Sequence, residues 1–193
     1  MNGNERNDLI VSWLTISIAF SILMSRDFLN LMAFVIVFPI ALITVGTGFI
    51  LHELAHRTVA RHFGKHAEFR AWQFGLIFAI LSSFVGFIFA APGAVYIYGN
   101  VTRKQNGYIS IAGPAVNIAV ALFFALIAFA VPDGIVNLTG TIGFQINMFL
   151  AMFNMIPFGP LDGVKVFAWS KTAWIVTFGI ALLGVGSFML GFF

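Results

Sequence analysis

Cysteine is absent from the chain, so no disulfide can staple it, and any metal site must use nitrogen and oxygen ligands rather than thiolates. Charge is nearly as scarce. Only 9% of the 193 residues are Asp, Glu, Lys or Arg, against about 25% in soluble domains. So little charge cannot cover an ordinary solvated surface, and 60% hydrophobic composition with a mean hydropathy of +0.99 places the chain in a lipid bilayer. Internal repeats, low-complexity tracts and a His-rich loop are also lacking. A net charge of +3 and a pI near 9.6 do not signal nucleic acid. The basic residues gather beside apolar runs, where they set topology.

Apolar runs are what the chain has in plenty. Leu9 to Met24 reads as a first span, Phe28 to about Gly64 as one long helix, and Ile109 to Val131, Thr141 to about Pro157 and Ala173 to Phe193 as three more. Ser25-Arg26-Asp27 and Pro132-Asp133-Gly134 supply turns between them. The expectation is an all-α polytopic membrane protein with about five transmembrane helices, forming a single membrane-embedded domain over residues 1 to 193.

The segment 74 to 98 needs a charge argument. If the long helix ends inside, Arg57 to Arg70, Arg103-Lys104 and Lys165 to Lys171 share the cytoplasmic face, in line with the positive-inside rule. One crossing by residues 74 to 91 would send Arg103 and Lys104 to the wrong side. The segment is therefore predicted to dip in and return, as a re-entrant or hairpin element turning at Gly86, Pro92 and Gly93. Ala94 to Tyr98 reads as a short strand.

Within the long helix, His52-Glu53-Leu54-Ala55-His56 follows the uncharged stretch Phe28 to Leu51. Four residues apart on a helix, His52 and His56 project from one face and can share a metal ion, with Glu53 beside them to handle a bound water. A catalytic zinc site takes three protein ligands and keeps one position open. His62 and His66 repeat the spacing but sit among Arg61, Lys65 and Arg70, which favours a solvated interfacial face. Asp133 reads as a turn residue. Asp162 follows a helix that must break near Pro157 and Pro160. Alone it reads equally well as a loop Asp capping the next short helix, but two His in need of a partner favour it as the third ligand. Asn117, one turn into a span, is costly there unless bonded. It reads either as a packing residue or as a donor to a substrate oxyanion. Asn154 reads as structural, serving a helix break.

With His52-Glu53-Leu54-Ala55-His56, Gly113-Pro114-Ala115-Val116-Asn117, and Asn154-Met155-Ile156-Pro157 with Leu161-Asp162-Gly163 in this order, the chain resembles the site-2 protease family of intramembrane zinc metalloproteases. The likeness covers about residues 28 to 170, the bare catalytic core without an appended PDZ or nucleotide-sensing domain. The apolar insert 74 to 91 departs from the family's minimal form. The resemblance implies one Zn2+ held by His52, His56 and Asp162, Glu53 as general base, and hydrolysis of a peptide bond in a transmembrane helix of a single-span membrane protein. Rival readings are a divalent-metal transporter, which would need further polar ligands along its path, and a membrane zinc hydrolase acting on lipid amides. The expected location is a multi-pass position in the cell membrane, with the site toward the cytoplasm.

Overall fold

Apolar segments that leave water must satisfy their own backbone, and helices do so within one segment. The computed structural model describes residues 3–25, 31–88 and 92–189. In it the apolar runs are helices: α1 (Gly3–Ser25), α2 (Leu31–Ala41), α3 (Thr47–His62), α4 (Gln73–Ser83), α5 (Arg103–Ala130), α6 (Gly134–Asn154), α7 (Asp162–Trp169) and α8 (Lys171–Met189). Two strands complete the order, β1 (His66–Ala71) and β2 (Gly93–Tyr98). The chain is an all-α polytopic membrane protein with a small β element. Among the described residues four helical stretches are long and apolar enough to cross a bilayer: α1, the continuous run Leu31–His62, α5 and α6. The fifth expected crossing falls on α8, whose apolar stretch is shorter. The turn at Arg26-Asp27, the helix start at Phe28 and the end at Phe193 lie outside the described residues.

The run Leu31–His62 is not a uniform helix. Pro39 lies within α2, and Leu42–Gly46 winds as a π-helical segment between α2 and α3. Proline removes a ladder donor, and π turns loosen the carbonyls around them. Side chains from other helices answer those carbonyls: Trp13 Nε1 donates to Leu42 O at 3.1 Å and Asn147 Nδ2 to Thr44 O at 3.3 Å. Irregular backbone at this depth is tolerated because protein groups saturate it.

Helix α5 is the centre of the bundle, packing against α3, α6 and α7. The end of α3, the start of α5 and α7 meet at one pole, where the Tyr108 ring packs tilted 4.5 Å from Trp169 and 6.2 Å from Phe63, centroid to centroid. The basic clusters on these segments therefore share one end of the molecule.

Strands β1 and β2 pair antiparallel from His66↔Tyr98 to Ala71↔Gly93. Entry to and exit from the 74 to 98 segment thus lie side by side. Helix α4 between them has 11 residues, about 16 Å of rise against a hydrocarbon core of about 30 Å. The segment leaves the sheet and comes back to it, with residues 89–91 outside the described set. Strand β1 was not expected: His66 to Trp72 reads as a polar and aromatic connection, and only its long-range pairing with β2 makes it a strand.

The ladder has a direction that matters for the site. In an antiparallel pair, alternate residues exchange their backbone bonds while those between turn N–H and C=O outward. Phe69 N–H donates to Glu5 Oε1 at 3.2 Å, Ala71 N–H to Asp8 Oδ2 at 3.4 Å, and Ala67 O accepts from Arg61 Nη2 at 2.7 Å. Residues 67, 69 and 71 are therefore the outward set of β1. Their partners Ile97, Val95 and Gly93 are the outward set of β2, on an edge that no other described strand occupies.

Candidate metal centre

His52 and His56 stand on the buried face of α3, one turn apart, with ring centroids 4.6 Å from each other. Asp162 comes from a different part of the chain. Helix α6 ends at Asn154, the chain turns through Pro157 and Pro160, and Asp162 opens α7. The close approach is fixed by Gly163, where a Cβ would sit 2.2 Å from Met155 O. The carboxylate thus starts α7 instead of ending the preceding span. Its Oδ2 lies 3.0 Å from His56 Nε2 and 3.4 Å from His52 Nε2. Ligand atoms of the three residues all fall within 4.8 Å of one another, and each residue is buried.

The protonation of the rings follows from their other nitrogens. His52 Nδ1 is 2.6 Å from Asn117 Oδ1, and His56 Nδ1 is 2.7 Å from Ile109 O. The Asn117 amide is oriented by its nitrogen, which donates to Gly48 O at 3.2 Å and Asn147 Oδ1 at 3.0 Å, so its oxygen faces His52. Both partners only accept, so each Nδ1 is the donor and each Nε2 is the ring atom turned toward Asp162. Those two nitrogens are 2.9 Å apart, with the Asp162 oxygen against them. Two ring nitrogens and a carboxylate oxygen converge on one point, an arrangement that a divalent cation satisfies. Two imidazoles and a carboxylate are the donor set that suits zinc, and zinc is the cofactor of this site.

Room for an ion is kept by Gly113 on α5. A Cβ there would lie 2.5 Å from His56 Nε2 and 2.6 Å from His52 Nε2. Gly113→Ala is expected to push the imidazoles apart and lower zinc content well below that of the unaltered chain, as read by elemental analysis of the purified variant. Unchanged zinc would contradict this packing.

Glu53 lines the same cavity of about 480 Å³ as the ligands, Lys165 and residues 93 to 97 of β2. It is 9% exposed and is not a member of the ligand group. Lys165 Nζ lies 3.7 Å from Asp162 Oδ1, one cation beside two carboxylates. His62 and His66 are exposed, away from the site. Asn154 Nδ2 donates to Leu150 O at 2.9 Å within its own helix.

Asn117, expected either as a packing residue or as an oxyanion donor, has its amide nitrogen on acceptors of α3 and α6. Its oxygen faces His52, 65 positions away in sequence. Sequence reasoning also missed Asn147, fully buried on α6, which links Asn117 to Thr44 O and Gly143 O. A lone Asn inside an apolar span was the available signal. Gly48 makes room for it, since a Cβ there would lie 2.1 Å from Asn147 Oδ1.

Comparison with known proteins follows the same lines. No family model matches the chain, and no solved structure matches it. Among curated proteins it is 48% identical over 159 residues to the "Putative zinc metalloprotease MJ0611" of Methanocaldococcus jannaschii, covering 81% of this chain and 83% of that one. It is 31% identical to the "Putative zinc metalloprotease YwhC" of Bacillus subtilis, over 66% of this chain and 67% of the relative. It is 28% identical to the "Putative zinc metalloprotease Rip3" of Mycobacterium tuberculosis, over 71% of this chain and 33% of the relative. With its two imidazoles and one carboxylate converging inside a bundle of apolar helices, the chain belongs to the site-2 protease family of zinc metalloproteases.

Proposed function

We propose that this protein hydrolyses a peptide bond within or beside a transmembrane helix of a single-span membrane protein. The observation that carries the reading is the shared cavity: the three ligands, Glu53 and the unpaired edge of β2 border one space. Zinc held by His52, His56 and Asp162 supplies Lewis acidity for a scissile carbonyl and for the attacking water. Glu53 accepts the proton of that water on its carboxylate and returns it to the leaving amine. Asn117 holds the His52 ring in the tautomer and orientation that a ligand needs.

A peptide bond inside a helix is shielded by neighbouring turns, so the substrate must unwind and find new partners for its backbone groups. The outward groups of Val95 and Ile97 offer them by strand addition. A lipid amide would have no use for such an edge. Metal transport is disfavoured because, among the described residues, His52, His56 and Asp162 are the one group of three or more His, Asp or Glu able to hold an ion, and no second station continues a path. The cavity is assigned to the cytoplasmic side of the cell membrane, a reading that the basic pole formed by α3, α5 and α7 supports through the positive-inside rule.

The test is cleavage of a model single-span substrate in detergent, with and without chelator, by the unaltered chain and by Val95→Pro and Ile97→Pro. Chelation is expected to abolish cleavage. Either proline removes an outward N–H while sparing the ladder to β1, and is expected to slow cleavage about tenfold, the scale of one lost hydrogen bond in an apolar site. Chelator-insensitive cleavage would defeat the metalloprotease reading, and full-speed proline variants would defeat the strand-addition step.

A further inference from the structure

Helix α1 precedes the residues that carry the catalytic motifs, yet it buries a carboxylate against the helix that holds the metal ligands. Glu5 is 1% exposed, and a buried charge persists only when paired and hydrogen-bonded. Its Oε1 lies 2.7 Å from Arg57 Nε and accepts the Phe69 N–H. Its Oε2 accepts from Arg57 Nη2 at 3.3 Å and lies 4.0 Å from Arg61 Nη2. Arg57 directly follows His56, so one carboxylate ties α1, the metal-bearing helix and β1 together. One turn later Asp8 accepts the Ala71 N–H and sits 3.9 Å from Arg70 Nη1. Arg61 closes the remaining position by donating to Ala67 O through both Nε and Nη2.

One outward backbone group at each of residues 67, 69 and 71 of β1 is thereby taken by a side chain, while the outer edge of β2 borders the cavity. A two-stranded sheet is marginal by itself, and an open edge is a template for whatever strand arrives. If β1 were open, an unwound peptide could pair on the side of the sheet away from the metal. We propose that Glu5 and Asp8 are positioning residues: they cap β1 and fix it to α3, so an extended peptide can join the sheet only at Val95 and Ile97. The proposal rests on the reading above that substrate joins β2 as a strand.

The experiment measures kcat and KM on the single-span substrate for Glu5→Ala, Asp8→Ala and Asp8→Asn, with zinc content and per-residue amide exchange. Asp8→Ala removes the acceptor for Ala71 N–H, while Asp8→Asn keeps one. Asp8→Ala and Glu5→Ala are expected to raise KM about tenfold, with a smaller change in kcat, unchanged zinc and faster exchange at Ala71 and Phe69 respectively. Asp8→Asn is expected to restore KM and exchange. In Glu53→Gln loaded with uncut substrate, the amides of Val95 and Ile97 are expected to gain protection.

The outcomes separate. Unprotected Val95 and Ile97 would overturn strand addition itself. Protection there, together with an unchanged KM in Asp8→Ala, would overturn the capping role alone. An equal rise in KM for Asp8→Asn and Asp8→Ala would assign the effect to the charge facing Arg70 instead of the capped edge, and would also overturn it. Should Glu5→Ala fail to fold once Arg57 loses its partner, the Asp8 pair decides, because that side chain is 31% exposed and its removal leaves no buried charge unmatched.

Discussion

Glu53→Gln is expected to leave zinc content unchanged and to lower cleavage of a membrane substrate by a factor on the order of 10² to 10⁴, the span attributed to a positioned general base. The substitution keeps the size and nearly the shape of a side chain that is 9% exposed, so packing on α3 is preserved. What it removes is the capacity to take a proton. Glu53 is next to His52 in sequence but outside the group of residues whose ligand atoms converge, and that separation is why metal binding and catalysis should part company here. A variant that loses zinc along with activity would make Glu53 a ligand, and one that cleaves at full rate would remove it from the chemistry.

Asp162→Ala is expected to give the opposite pattern. The carboxylate is the one ligand that α3 does not supply, and its Oδ2 reaches both imidazoles. Without it two Nε2 atoms face each other at 2.9 Å with too few donors for a closed zinc site. Loss of an outer-shell partner costs about 10- to 100-fold in metal affinity, and loss of a ligand should exceed the upper end of that range. Titration with excess zinc should recover part of the cleavage in Asp162→Ala and none in Glu53→Gln. Recovery in neither, with zinc bound normally to both, would contradict the division of labour between the two carboxylates.

How much of this was legible in the sequence depends on the range of the interaction. The two His and the Glu were readable because helical spacing is local: positions 52 and 56 share a face wherever that helix goes. The spans were readable because lipid demands continuous apolar helix. Asp162 was reachable only by elimination and family likeness, since its meeting with α3 depends on how α6 breaks and α7 begins. The expected return of residues 74 to 98 came from charge placement, which reports which side a loop lies on but not what it pairs with. For that reason β1 was missed although β2 was anticipated. Asn117 was singled out correctly as an expensive polar group, yet its partner His52 could not be read from spacing. Asn147, Glu5 and the Ile109 carbonyl were missed for the same reason: each matters through a contact that only the packed bundle creates.

The most direct measurement is zinc-edge X-ray absorption on the purified, zinc-loaded chain. The expected spectrum shows two imidazole nitrogens at about 2.0 to 2.1 Å, with oxygen donors completing the shell and no thiolate. A zinc ion carrying one imidazole or none would contradict the shared site of His52, His56 and Asp162.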